Sequence, residues 1–147
     1  MEKGGTCHRQ ATMCVFNSSI MKNIGTIELE GMEFKAYHGC LEQEKAKGNF
    51  FVVDFRGDMD LSAAAESDNL NDTVNYADIY EIVSEEMSIP SELLENVAGR
   101  IVKAIETRYP QFVSFSVRVS KKRPPVDGIA QWSRVTLFHK GMMTEEN

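Results

Sequence analysis

The chain has 147 residues, of which 42% are hydrophobic and 26% charged, a composition typical of one soluble globular domain with a real core. Its formal net charge of −6 argues against nonspecific binding to nucleic acid or to an anionic membrane surface. No apolar run approaches the roughly 20 residues that span a bilayer. Composition therefore favours an ordinary soluble globular protein.

Cysteine and histidine spacing indicates neither a disulfide framework nor a zinc site. The three cysteines lack a CxxC motif, which predicts free thiols in a reducing cytoplasm: Cys7, Cys14 and Cys40. The three histidines are far apart and would all have to converge on a metal: His8, His38 and His139. We therefore expect a site that holds no metal.

The two ends of the chain lack the patterns of folded structure. Residues 1–25 show no periodicity, and their apolar patch from Ala11 to Phe16 is too short for a signal-peptide core. We predict a disordered extension over 1–25, a folded domain over 26–141 and a short tail over 142–147.

Two strands are predicted in the first half of the domain. Apolar residues over 27–34 indicate the first, which ends at Tyr37-His38-Gly39, and a charged loop is expected over 41–48. The second covers 49–61, where apolar and charged residues alternate. Gly57 interrupts that alternation and predicts a β-bulge.

Two helices follow. Asn75 is a plausible N-cap for the first, with Asp78 in the capping-box position. Its apolar face comprises Ile79, Ile82, Val83 and Met87. Pro90 and Ser91 are expected to open the second helix, and Pro110 to end it. The apolar stripe of that helix comprises Leu94, Val97, Ala98, Ile101, Val102 and Ile105.

Strict alternation from Val113 to Val119 predicts a half-buried third strand that carries Lys121 to its end. The pair Pro124-Pro125 then forces the chain out of the sheet. A less regular fourth strand is expected over 130–140. A lysine at the rim of a rigid sheet can be aimed at a ligand.

The order strand, strand, helix, helix, strand, strand predicts an α+β fold, a four-stranded antiparallel sheet with both helices on one face. Four strands leave two open edges, which are a liability unless they pair with another subunit. The architecture therefore predicts a homo-oligomer.

Charged and polar residues at the element junctions are candidates for chemistry: Glu44, Tyr76, Glu95 and Lys121. Singly, each has an ordinary structural explanation, as a solvated charge, a core aromatic, a helix-dipole partner or an edge-strand charge. His38, before a glycine, is more typical of a turn residue than of a catalyst. Only their combination favours a function.

Five groups of motifs occur in order along the chain. They are Gly31-Met32-Glu33-Phe34 with Tyr37-His38-Gly39 and Glu44; Ala65-Glu66-Ser67-Asp68; Asp72-Thr73-Val74-Asn75-Tyr76; Leu93-Leu94-Glu95 with Ala98 and Arg100-Ile101; and Val117-Arg118-Val119-Ser120-Lys121 with Pro124-Pro125. From Thr26 to about Gly141 the sequence resembles the dihydroneopterin aldolase family of folate biosynthesis. The resemblance rests on the whole ordered set.

The resemblance implies a tunnelling-fold subunit whose sheet joins those of its neighbours around a ring to form a barrel. Two such rings commonly stack into an octamer, with active sites between neighbouring subunits. The implied reaction cleaves 7,8-dihydroneopterin into 6-hydroxymethyl-7,8-dihydropterin and glycolaldehyde. The pterin imine is the electron sink, so the resemblance implies no cofactor, metal or Schiff base.

The resemblance also implies roles for single residues. Lys121 matches the catalytic lysine, an acid/base near the ring nitrogen, and Tyr76 matches a proton-transferring tyrosine from an adjacent subunit. Glu44 matches a carboxylate that binds substrate and orders water. Glu95 matches the pterin anchor, because a carboxylate can accept two parallel N–H bonds from the pterin edge. Further pocket-lining residues are implied to be Leu94, through its backbone, Thr73 and Val74.

Cys40 stands where the family often has a small apolar residue, and Lys122 and Arg123 make the loop after Lys121 unusually basic, which could favour a phosphorylated pterin. One alternative function is epimerisation at C2′ of dihydroneopterin or its triphosphate. A second is a noncatalytic pterin- or purine-binding scaffold, against which the retained Lys121 argues.

Overall fold

The computed structural model describes residues 24–141 of the chain. Its strands are β1 (Ile24–Ala36), β2 (Asn49–Asp60), β3 (Ser114–Lys122) and β4 (Trp132–Lys140). Its helices are α1 (Glu42–Lys47), α2 (Ser62–Ser67), α3 (Tyr76–Met87) and α4 (Leu94–Arg108), with a 3-10 turn at Leu70–Asp72. The predicted extension over 1–25 lies outside this range except for Ile24 and Gly25, which belong to β1, and the predicted tail over 142–147 lies outside it entirely.

The four strands form one antiparallel sheet in the order β1-β2-β3-β4. Helices α3 and α4 pack against it, α3 on β1 and α4 on β3 and β4. The predicted α+β architecture is therefore confirmed. Strands β1 and β4 are the two edges, and neither pairs with a further strand within residues 24–141.

The core lies between the sheet and helices α3 and α4. The alternation predicted for the third strand is observed in its apolar row, because Phe115, Val117 and Val119 are buried while Arg118 is exposed. Ser120 is an exception, since this polar residue is buried as well. The predicted apolar faces of both helices are also buried, with these fully enclosed side chains at their centre: Ile79, Val83, Val97, Ala98, Ile101 and Ile105.

The predicted bulge at Gly57 is wrong. Gly57 stays in register with Ile27 and Phe115, and a Cβ there would lie 2.7 Å from Cε1 of Phe112, so the glycine makes room for an aromatic ring. The register shift lies on β1 between Leu29 and Met32. Gly31 occupies it with φ +77° and donates its N–H to Oδ1 of Asp54 at 2.7 Å.

The helix starts differ in part from prediction. Asn75 caps α3 as expected, accepting the Ala77 N–H at 2.9 Å. Asp78, expected in a capping box, instead accepts hydrogen bonds from Arg108 and Tyr109 of the facing helix. Pro90 and Ser91 precede α4 and do not open it. Two short helices were not predicted: α1, which lies in the expected charged loop, and α2.

Candidate active site

Lys121 lies on the helix-covered side of the sheet, near the end of β3. Because side chains alternate along a strand, it continues the buried row of Val117 and Val119 and does not join the row of Arg118. Its Nζ lies 2.6 Å from Oε2 of Glu44, and the two side chains are 12% and 8% exposed. The strand therefore delivers a nearly enclosed ammonium group to a nearly enclosed carboxylate.

Glu44 is placed by the short helix α1. It stands in the first turn, where its Oε1 accepts the backbone N–H of Leu41 at 3.3 Å while Oε2 accepts from Lys121. Removing one partner of such a buried pair leaves an uncompensated charge, at a cost of about 3–5 kcal/mol. A carboxylate and an ammonium group in contact can hold and pass a proton, which suits acid–base chemistry.

Gly39 allows the Glu44 carboxylate to approach the backbone. Its φ is +153°, and a Cβ at this position would overlap Oε1 and the carboxyl carbon of Glu44. The Tyr37-His38-Gly39 segment and Glu44 are therefore one structural unit, as the resemblance implies for these motifs.

Tyr76 and Glu95 stand at the starts of α3 and α4, and both are exposed, Tyr76 by 65%. Within residues 24–141 neither side chain makes a hydrogen bond or an ion pair, so no direct contact of this kind joins either of them to the Lys121–Glu44 pair. Of the other predicted pocket residues, Val74 and Leu94 are buried and Thr73 is half-buried.

Lys122 and Arg123 are exposed, unlike Lys121. Arg123 has φ +49° and donates its backbone N–H to the carbonyl of Gln131 at 2.8 Å, which fixes the turn after β3. An open cavity of about 240 Å³ borders Glu44 and is lined in part by Lys47 and Arg123. The extra basic charge therefore lies beside the candidate site.

Two residues near the Lys121–Glu44 pair, His38 and Arg100, were not predicted to be site residues. His38 is fully buried, and its Nδ1 accepts the backbone N–H of Ser91 at 3.1 Å. Burial, and then the charges of Arg100 and Lys121, lower the pKa of His38 to about 4, so the ring is neutral at pH 7. His38 and Arg100 both belong to motifs of the family resemblance, Tyr37-His38-Gly39 and Arg100-Ile101, but no role was predicted for either.

The described residues offer no evident metal centre and no membrane span. Over residues 24–141, no three His, Cys, Asp or Glu side chains group closely enough to hold a metal ion. No helix in that part of the chain is long and apolar enough to cross a membrane. Cys40 is an exposed free thiol, whereas Cys7, Cys14 and His8 lie outside the described residues.

Comparisons with known proteins find similar sequences and similar folds. The family model described as FolB, dihydroneopterin aldolase, matches residues 27–138. A dihydroneopterin aldolase of Staphylococcus epidermidis is 43% identical over 103 residues, which cover 69% of this chain and 85% of the relative.

Two solved structures share the fold. A putative dihydroneopterin aldolase from Vibrio cholerae superposes with a TM-score of 0.73 at 23% identity, covering 81% of this chain and 99% of its own. An Escherichia coli dihydroneopterin aldolase in complex with neopterin gives 0.72 at 22% identity, covering 78% and 98%. The tunnelling fold implied by the sequence is thereby confirmed.

Proposed function

The chain belongs to the dihydroneopterin aldolase family, and we propose that it cleaves the C1′–C2′ bond of 7,8-dihydroneopterin at a site built around the Lys121–Glu44 ion pair. The products are 6-hydroxymethyl-7,8-dihydropterin and glycolaldehyde, which makes the chain a lyase of folate biosynthesis. The observation that carries the proposed site is the 2.6 Å contact between two nearly enclosed, oppositely charged groups.

The reaction needs four proton transfers at the substrate. The 2′-hydroxyl loses its proton as the C1′–C2′ bond breaks, and the electron pair of that bond moves through C6 to N5 of the pterin imine. Protonation at N5 gives an enamine, whose C1′ then takes a proton as N5 releases one. The substrate supplies the electron sink, so the chain need supply only acids, bases and binding groups.

We assign the proton at N5 to Lys121. Its position at the end of a rigid strand restricts the ammonium group to one direction, which favours a positioned acid/base. Glu44 holds Lys121 in place and, in this proposal, contacts the substrate side chain through an ordered water. Tyr76 of a neighbouring subunit would move the hydroxyl and product protons.

Glu95 is proposed to anchor the pterin. Its carboxylate stands exposed in the first turn of α4 and has no partner among residues 24–141, so both oxygens are available to two N–H donors of the pterin edge. The Leu94 backbone, Thr73 and Val74 would line the same pocket. The neopterin bound to the Escherichia coli relative supports a pterin ligand.

The exposed Tyr76, which has no hydrogen-bond partner among residues 24–141, supports a site shared between subunits. A closed ring would pair the open edges of β1 and β4, and two stacked rings would give the octamer that we propose. Exposed apolar side chains lie on or beside the edge strands, including Ile24, Phe50, Ile129 and Phe138. Burying them between subunits would remove a surface that is unfavourable in a monomer.

The proposed function is tested by incubating the full chain with 7,8-dihydroneopterin and separating the products. Glycolaldehyde with 6-hydroxymethyl-7,8-dihydropterin is expected. A 2′-epimer without glycolaldehyde would make the chain an epimerase, the alternative that the same site could support. Binding without any turnover would make it a pterin-binding scaffold. The same assay with a phosphorylated dihydroneopterin measures what the basic residues Lys122 and Arg123 contribute.

A further inference from the structure

The connection between α3 and α4 is held by the guanidinium of Arg100. Its Nη1 donates to the backbone carbonyl and to the carboxylate of Glu86, at 2.9 and 2.7 Å. Its Nη2 donates to the carbonyl of Ile89 and to Oγ of Ser91, at 2.8 and 2.7 Å. Four hydrogen bonds from one planar group fix the path of this connection, because the donors of a guanidinium diverge in a set geometry.

Ser91 is bonded in turn to the end of the first strand region. Its backbone N–H donates to Nδ1 of His38 at 3.1 Å, and its carbonyl accepts the N–H of Gly39 at 2.9 Å. Its hydroxyl lies 2.7 Å from Oδ1 of Asn96, one residue beyond Glu95. Ser91 therefore joins the His38 side chain and the Gly39 backbone to the N-terminal turn of α4.

Gly39 packs directly against the Glu44 carboxylate, and Glu44 holds Lys121. Leu94, the first residue of α4, is buried, so the first turn of α4 is fixed to the rest of the helix. The described contacts thus form one continuous path from the proposed chemistry at Lys121 to the proposed anchor at Glu95. Two hydrogen bonds of that path, from Ser91 to His38 and from Gly39 to Ser91, connect the segment before α4 to the segment after β1.

We propose that His38 and Arg100 are positioning residues that set the distance between the pterin anchor Glu95 and the Lys121–Glu44 pair. The inference rests on the proposed function of that site. His38 contributes a buried acceptor, not a proton donor to substrate: its ring is fully enclosed, and Nδ1 is occupied by the Ser91 N–H.

The neutral ring therefore carries its proton on Nε2. Among the described residues no acceptor is well aligned with this N–H. The backbone of Met87 lies near enough to raise the pKa of His38 slightly against the other influences. Protonating Nδ1 would turn the acceptor into a donor facing the Ser91 N–H. It would also add a positive charge, which burial of the ring disfavours first and the nearby charges of Arg100 and Lys121 disfavour further, and this explains the lowered pKa of His38. The histidine thus serves as a fixed spacer over the neutral pH range.

A matched pair of variants tests this role. His38→Asn offers a carbonyl oxygen close to the position of Nδ1, whereas His38→Leu fills the space and removes the acceptor. Since a misplacement of about 1 Å can cost roughly 10²-fold in rate, we expect kcat of His38→Leu to fall tenfold to a hundredfold. Glu95 is intact in this variant, so the dissociation constant of 6-hydroxymethyl-7,8-dihydropterin should change by less than about threefold. His38→Asn should recover most of the lost kcat.

Arg100→Lys provides a second variant if His38→Leu fails to fold. It keeps the charge but loses the forked geometry, so it should show the same separation of kcat from product affinity. Ile105→Ala is the control for general destabilisation. Ile105 is fully buried near the C-terminal end of α4, whereas Ser91 lies before the N-terminal end of that helix. Assayed well below its melting temperature, it should retain wild-type kcat.

The outcomes separate this inference from the function on which it rests. Wild-type protein that neither binds the product nor cleaves dihydroneopterin refutes the proposed function. Active wild-type protein with unchanged kcat in both His38→Leu and Arg100→Lys refutes the positioning role. A product dissociation constant that rises as much as kcat falls also refutes it, because the residues would then serve binding and not spacing.

Discussion

Phe51 lies directly opposite Lys121 in the antiparallel register of β2 and β3. Paired residues of adjacent strands project to the same side of a sheet, so the buried Phe51 ring lies beside the lysine stem. The same ring makes an edge-to-face contact with His38, with centroids 5.1 Å apart. One core aromatic therefore supports both the proposed acid/base and the proposed spacer.

We predict that Lys121→Ala lowers kcat by roughly 10²–10⁴-fold, the usual contribution of a positioned acid/base group. Product affinity should change much less, because the proposed anchor is untouched. Lys122→Ala is the matched control, since Lys122 is the next residue of the strand but is exposed. Steady-state kinetics with unphosphorylated dihydroneopterin should find it close to wild type. Equal losses in the two variants would show that the catalytic lysine is wrongly assigned.

For Glu95→Gln we predict weaker binding of both substrate and product. The amide keeps the shape of the side chain but replaces one acceptor oxygen with a donor, so one N–H of the pterin edge would face another N–H. A charge-assisted hydrogen bond is worth about 1.5–3 kcal/mol, which corresponds to at least a tenfold rise in the dissociation constants. Calorimetric titration with the hydroxymethyl product measures this. An unchanged product affinity would leave Glu95 as an ordinary surface carboxylate.

Mixing two inactive variants should restore activity if the site is shared. Lys121→Ala and Tyr76→Phe each disable one half of the proposed site. In rings assembled randomly from equal amounts of both, about one quarter of the interfaces would combine an intact lysine with an intact tyrosine. Co-refolding the variants should therefore recover up to that fraction of wild-type turnover. Activity no higher than the average of the separately assembled variants would place both residues in one subunit.

Acid should destabilise the wild type more than a variant without an imidazole at position 38. The pKa of His38 is lowered from 6.5 to about 4, so between these pH values the unfolded chain binds a proton that the folded chain does not. The stability that the neutral His38 contributes is therefore fully present above pH 6.5 and is lost as the pH falls towards 4. This loss lowers the free energy of unfolding by about 3 kcal/mol. Urea midpoints from pH 7 to pH 4 for wild type and His38→Asn measure the difference. Parallel curves would contradict the lowered pKa.

Local patterns predicted those parts of the fold that depend on residues close in sequence. Alternation over 113–119 identified β3, and helical spacing identified the buried faces of α3 and α4. The alternation also contained a signal that went unused: Lys121 follows Val119 by two positions, which places it on the buried side. Glu44 was a candidate at an element junction, but its pairing with Lys121 was not predicted, since no spacing rule connects the two residues.

What could not be predicted depends on contacts between distant residues. His38 and Ser91 are 53 positions apart, and their hydrogen bond holds Ser91 outside the helix that proline had suggested would begin there. The lack of a side chain at Gly57 leaves space for the ring of Phe112, which belongs to a later segment of the chain. In both cases tertiary packing overrides the structure that the local sequence favours.

Helix α1 lies between two glycines with positive φ, Gly39 and Gly48, and ion pairs join it to β3 and to the segment before α4. A side chain at either glycine would be strained by the positive φ and would also meet a neighbour, the Glu44 carboxyl group at Gly39 and the Ala36 carbonyl at Gly48. The place of the proposed acid–base pair is therefore set in part by two residues that carry no functional group of their own.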